Sequence, residues 1–218
     1  MPTSGRKTDR TKINRMETKI INSGQSNASK ALILLHGRGS NASDILSLAH
    51  HLNVKDFALY APEAPNGSWY PQSFLAKPTA NEPWLSASLN LVDETVAQIL
   101  RDGISKANIY FAGFSQGACL AAEYTSRHAT KYGGIAIFTG GLIGDRIYEE
   151  NYSGNFEGTP IFIGSSNPDF HVPVERVYAT ANIIKNLGAD VTEKIYDNIG
   201  HTIIADEIDR ANKHIFKN

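Results

Sequence analysis

The sequence predicts an α/β fold with a mostly parallel central sheet and helices on both faces. Two observations carry this. Short apolar runs bounded by Gly, Pro, Asn or polar clusters alternate with longer segments of helical period. The chain also has 218 residues, 41% hydrophobic and 20% charged, enough to bury one sizeable core without the signature of disorder or of a fibrous protein.

In chain order, strands are expected at Lys19–Asn22 and Ala31–His36, followed by a helix at Ala42–Leu52 and a strand at Phe57–Ala61. A helix at Ser86–Arg101 has Leu89, Val92, Val96, Ile99 and Leu100 at three- and four-residue steps, which makes one apolar stripe to lie on a sheet. Strand Asn108–Ala112 then runs into helix Gln116–His128, and strands Gly134–Phe138 and Ile161–Gly164 follow. Helix Val174–Asn186, strand Val191–Tyr196 and helix Ala205–Phe216 complete the alternation. Each strand is short, rich in β-branched or aromatic residues, and stopped by a turn-forming residue.

One segment breaks the pattern. Pro62 to Pro83 holds five of the nine prolines together with Trp69, Tyr70 and Phe74. Proline at that density excludes helix and central strand, and a connection longer than about 15 residues in a compact domain is usually a lid or binding loop. The competing reading is a crossover packed down by its own aromatics.

The first fifteen residues carry Arg6, Lys7, Arg10, Lys12 and Arg15 against Asp9 alone, and read as a disordered basic arm ahead of one domain spanning 16–218. An upstream leader, with Met16 opening the natural domain, is the alternative. The whole chain has a formal charge of −1, which argues against nucleic-acid and membrane-surface partners. No apolar run reaches the roughly 18 residues of a membrane span. Cys119 is the single cysteine, so an intramolecular disulfide framework and a Cys-rich zinc site are excluded, and a reducing, cytoplasmic setting is expected. Phosphate-loop, zinc-helix and EF-hand signatures are missing, so no metal or cofactor is expected.

Gly113-Phe114-Ser115-Gln116-Gly117 is a G-x-S-x-G motif between an expected strand and an expected helix. The glycines relieve a sharp turn, the serine hydroxyl stands free of the sheet, and the helix N-terminus points free N–H groups at it. A serine hydroxyl needs a base, and the base an orienting carboxylate. His201, beside Gly200 in the loop after the last strand, is the best base, and Asp169, after the strand ending at Gly164, the best acid. Asp145 follows an earlier strand and Asp197 is only four residues from His201. His50, His51, His128 and His214 read as partly exposed helix positions, and Cys119 as a small packing residue. The order Ser115, Asp169, His201 is that of an α/β-hydrolase.

An acyl-transfer site also needs N–H donors for the oxyanion. Gln116 should supply one. The loop His36-Gly37-Arg38-Gly39-Ser40 should supply the other, from Arg38 or, as second choice, Gly39. That loop offers a rival reading, since Gly37 to Ala42 matches G-x-G-x-x-[G/A] and Glu63 ends the next strand, as in a dinucleotide site. The rival leaves Ser115, Asp169 and His201 without a role. A hydrolase fold retained as a binding protein, and a peptidase, are further alternatives.

Leu35-His36-Gly37-Arg38-Gly39, the elbow around Ser115, Asp169-Phe170-His171-Val172-Pro173 and Gly200-His201-Thr202-Ile203 together resemble the phospholipase/carboxylesterase family of small α/β-hydrolases, which includes the acyl-protein thioesterases. The matches run in order from about residue 30 to the C-terminus. The length of the chain leaves room for a minimal cap and for no separate lid domain beyond the Pro62 to Pro83 loop. The resemblance implies cofactor-free hydrolysis of small carboxylic esters, or thioesters, through an acyl-enzyme. Its catalytic residues are then Ser115, His201 and Asp169, with Arg38 and Gln116 amides at the oxyanion. Family members often carry Arg-x-Trp-Phe/Tyr-Asp in the aromatic loop. Here Asn66-Gly67-Ser68-Trp69-Tyr70-Pro71 lacks that arginine and acid, which points to a general carboxylesterase rather than one for long acyl chains. Trp69, Tyr70 and Phe74 are expected to wall the acyl side, and His171 to reach the pocket. The oligomeric state is not legible.

Overall fold

A computed structural model describes residues 19–217, so the expected basic arm lies outside the described residues. Seven strands form one sheet: β1 (Lys19–Gly24), β2 (Lys30–Leu35), β3 (Phe57–Glu63), β4 (Ile109–Phe114), β5 (Gly134–Phe138), β6 (Pro160–Asn167) and β7 (Asp190–Asp197). Their spatial order is β1-β3-β2-β4-β5-β6-β7, and only the β1–β3 pair is antiparallel. The helices are α1 (Ala42–Leu46), α2 (Trp84–Arg101), α3 (Gln116–Arg127), α4 (Val174–Asn186) and α5 (Ala205–His214).

The inner strands are apolar on both faces because both faces are covered. Ile33, Phe111, Ile135 and Ile163 pack with α2, α3 and α4, and their neighbours Leu32, Ala112, Ala136 and Phe162 pack with α1 and α5. The architecture is the expected α/β-hydrolase fold, with departures that have physical reasons. The expected helix Ala42–Leu52 is α-helical only to Leu46 and continues as a 3-10 turn over Ser47–His51, where the Ser47 hydroxyl takes the Asp44 carbonyl at 2.6 Å. The stripe of α2 is set by Leu85, Leu91, Val92, Val96 and Ile99, whereas Leu100 turns outward and is 40% exposed. Pro62 belongs to β3, opposite Ile20 of β1; β2 pairs with β3 only as far as Tyr60, so the missing N–H interrupts no central ladder. β6 runs three residues past the expected end at Gly164, because Ser165, Ser166 and Asn167 pair with Ile195, Tyr196 and Asp197.

This topology sets the site. The C-terminal ends of β2, β4, β6 and β7 lie along one rim, and the loops leaving them carry Arg38, Ser115, Asp169 and His201.

Candidate active site

Ser115 caps α3 with φ 54° and ψ −118°, a backbone region an L-residue enters at a cost of roughly 1–3 kcal/mol. Two bonds hold it there: its N–H donates to the Phe138 carbonyl at 3.0 Å, and its carbonyl accepts from Cys119 N–H at 2.9 Å. The motif's second glycine has a packing reason. A Cβ on Gly117 would fall on the backbone carbonyls of Leu35 and His36, at the end of β2. The elbow therefore fits only because α3 starts pressed against the loop that carries Arg38.

The structure brings the three separated side chains together. His201 Nε2 lies 2.8 Å from Ser115 Oγ, and His201 Nδ1 lies 2.8 Å from Asp169 Oδ2. An ionised carboxylate only accepts, so Nδ1 carries the ring proton and Nε2 accepts from the serine hydroxyl. The other oxygen, Oδ1, accepts the N–H groups of His171 at 2.7 Å and Val172 at 2.9 Å. The side chain of Asp169 is fully buried and that of His201 is 24% exposed. Burial works to raise the Asp169 carboxyl, but hydrogen bonds from His201, His171 and Val172 outweigh it and hold the group below the ordinary carboxylate range. The imidazole is flanked by rings, Phe114 at 5.2 Å and His171 at 4.8 Å between centroids. Asn198 N–H donates to the Asn167 carbonyl at 3.1 Å, so the loop of the histidine is tied to the loop of the acid.

Among the described residues, neither the Arg38 nor the Gln116 backbone N–H is taken by another group. The second-choice donor fails, since Gly39 N–H is spent on the Gly67 carbonyl at 2.8 Å. The nucleotide alternative loses its parts as well. The helix after this loop is five residues long, and Glu63 Oε2 accepts Ala42 N–H at 3.2 Å.

Beside Ser115 lies a cleft of about 520 Å³, lined among others by Arg38, Tyr70, Phe74, Gln116, His171 and His201. Tyr70, Phe74 and His171 are thus at the cleft, but Trp69 is not. It is 1% exposed, lies 4.9 Å from the His36 ring, and donates its indole N–H to the His36 carbonyl at 2.8 Å. Trp69 braces the loop from beneath because its one polar atom finds its acceptor under the elbow. Cys119 is also buried, and that burial pushes its thiol up to about 12, leaving no thiolate to compete with Ser115.

Sequence reasoning missed what holds the proline-rich loop. Arg38 donates to Ser68 Oγ and the Pro71 carbonyl at 3.0 Å each and to the Gln72 carbonyl at 2.7 Å. The Gln116 side chain accepts Trp69 N–H at 3.0 Å and donates to the Tyr70 carbonyl at 2.8 Å. Asn81, fully buried, accepts Gln72 N–H at 2.8 Å and donates to the Ser73 carbonyl at 3.0 Å. The two residues expected to offer only backbone amides also use their side chains to fasten the cleft wall. Among the described residues no cluster of His, Cys, Asp or Glu could hold a metal, and no helix is long and apolar enough to cross a membrane.

Residues 16–218 match the model of a family described as Phospholipase/Carboxylesterase. A phospholipase/carboxylesterase from Dyadobacter fermentans DSM 18053, known from its crystal structure, is 50% identical with a TM-score of 0.91, over 92% of this chain and 97% of that one. Acyl-protein thioesterase 1 of Saccharomyces cerevisiae is 28% identical over 207 residues, covering 84% of this chain and 89% of the yeast protein. The Bacillus cereus carboxylesterase, at 22% identity and a TM-score of 0.75 over 91% of this chain and 93% of its own, shares the fold.

Proposed function

The chain belongs to the phospholipase/carboxylesterase family of α/β-hydrolases and is a carboxylesterase-type hydrolase, and from that premise we propose that it cleaves small carboxylic esters, and thioesters as a second class, through an acyl-enzyme on Ser115. The observation that carries the reading is the unbroken chain from Ser115 Oγ to His201 Nε2, and from His201 Nδ1 to Asp169 Oδ2, at 2.8 Å for each link.

In this reading Nε2 of His201 takes the hydroxyl proton as Ser115 Oγ attacks the carbonyl carbon. The imidazolium so formed faces the buried Asp169 carboxylate. The N–H groups of Arg38 and Gln116 receive the oxyanion, the second at the positive end of a twelve-residue helix. Collapse of the intermediate breaks the bond to the leaving oxygen or sulfur, which accepts the proton from His201. Water then repeats the two steps and frees the acid, restoring Ser115.

The test is turnover of p-nitrophenyl acetate and butyrate by wild type and Ser115→Ala, with labelling by a fluorophosphonate probe. Wild type should turn over and label at Ser115, and the variant should do neither. Undiminished turnover by the variant removes Ser115 from the mechanism.

A further inference from the structure

Tyr70 lines the cleft beside Ser115 and is 1% exposed, yet its hydroxyl has no hydrogen-bond partner. A tyrosine buried to that depth ordinarily finds an acceptor, and a donor left without one carries a penalty that a ligand can relieve. The other buried side chains with an unpartnered polar atom among the described residues, Ser126, Thr139, Ser165 and Glu207, do not line the cleft. Tyr70 is thus the case in which the unmet hydrogen bond and the substrate cleft coincide.

Its neighbour does not meet the need. The Cys119 thiol beside the phenol is a weak acceptor, and its Sγ already takes the Gly141 N–H at 3.4 Å. Cys119 lies one turn of α3 past Ser115 and lines the same cleft, so phenol and thiol together mark the cleft floor below the nucleophile. Burial pushes the ionisation of the Tyr70 hydroxyl well above its ordinary value, and the group therefore stays a donor.

Two sets of loops wall the cleft. His171, Val172 and His201 come from the loops of the acid and the base, and Tyr70 to Phe74 come from the proline-rich loop. A histidine that takes the serine proton must hand it to the leaving atom, so the leaving group lies on the imidazole side. The acyl chain is then left to the wall that holds Tyr70. Resting on the hydrolase reading above, we infer that Tyr70 Oη selects the acyl group, donating a hydrogen bond to an oxygen carried on a short acyl chain, as in a 3-hydroxyacyl ester. Its role is recognition, not proton transfer.

The test keeps the alcohol and the chain length constant and compares kcat/KM for ethyl 3-hydroxybutyrate, as each enantiomer, with that for ethyl butyrate in wild type and Tyr70→Phe. Rates with hydroxide normalise the intrinsic reactivity of the esters. The hydroxybutyrate-to-butyrate ratio for the better enantiomer should exceed one in wild type and fall about tenfold in Tyr70→Phe. Tyr70→Phe should also melt at the wild-type temperature or above, because it removes a donor that is buried without an acceptor. A ratio that moves less than about twofold overturns the inference, as does a melting temperature several degrees lower, which would mean that the hydroxyl is bonded within the free protein. Should the variant fail to fold, the wild-type preference decides, and a normalised ratio of one or less overturns the inference. Failure of wild type to cleave any of these esters overturns the hydrolase reading, and this inference with it.

Discussion

One carboxylate oxygen of Glu207 rests where a Cβ of Gly164 would stand, while the other accepts the Ile204 N–H at 3.0 Å. Glu207 is fully buried, and the oxygen facing β6 has no hydrogen-bond partner. An acidic side chain is thus wedged between the strand that leads to Asp169 and the start of the helix that follows His201. Any larger residue at 164 would evict it.

Burial pushes the Glu207 carboxyl up to about 7, against the hydrogen bond from Ile204 and with help from the charge of Asp206. The unfolded value is near 4.5, so the native state holds the proton more tightly. The resulting stabilisation is complete below the unfolded value and declines as pH rises to about 7, by on the order of 3 kcal/mol. Glu207→Gln keeps an acceptor for Ile204 and removes the titration. Urea midpoints at about pH 5 and about pH 8 should fall in wild type relative to the variant; parallel midpoints would place the carboxyl's titration elsewhere.

The sheet was legible because its signal is local. Gly134–Phe138 and Val174–Asn186 end where their own turn residues end them, and the reading needs no knowledge of neighbours. Ser165 to Asn167 was not legible as strand, because nothing apolar marks it and only pairing with β7 extends it. The positions of Ser115, Asp169 and His201 were legible from the loops that follow strands, as was the proximity of His171. Trp69 was misplaced at the cleft because an aromatic in a proline-rich loop looks the same whether it faces out or braces from below. Glu207 carries no local sign of burial, since an acid in the first turn of a helix usually faces water. The fastening by Arg38, Gln116 and Asn81 left no signal, because each depends on acceptors brought near by the fold.

The elbow's second glycine should be irreplaceable for a steric reason. In Gly117→Ala the new methyl would meet the backbone of Leu35 and His36, which has no side-chain freedom to yield. A loss of about 3 kcal/mol or more is expected. Gly39→Ala is the contrasting case. Gly39 has φ +78° and nothing within 4 Å of the added methyl, so only backbone strain of about 1 kcal/mol opposes it. Denaturation of the two variants should rank Gly117→Ala far below Gly39→Ala, and equal losses would contradict the packing argument.

Asn81 should matter to substrate binding although it is remote from Ser115. Asn81→Ala leaves Gln72 N–H and the Ser73 carbonyl without their partner, and both residues line the cleft. Stability should drop by about 2 kcal/mol. KM should rise more than kcat falls, since the wall loosens while Ser115 and His201 keep their contact. Steady-state kinetics with p-nitrophenyl butyrate check this, and a lower stability with unchanged KM would confine Asn81 to folding.

Asp169→Asn separates the two duties of that carboxylate. An amide oxygen can still accept the N–H groups of His171 and Val172, so the turn should survive. The amide nitrogen, though, would face Nδ1 of His201 as a donor, and the ring would have to put its proton on Nε2, where the serine needs a lone pair. A fall in kcat of about three to four orders of magnitude is expected with the fold retained. The stability effect has the opposite sign to that of Glu207. Because the native state holds the Asp169 carboxyl below its ordinary 3.8, its contribution is present above that value and lost as pH falls through the lowered one. Wild type should therefore exceed the variant in urea midpoint near neutrality, with the gap closing only in acid. Turnover close to that of wild type would show that the carboxylate does not orient the base.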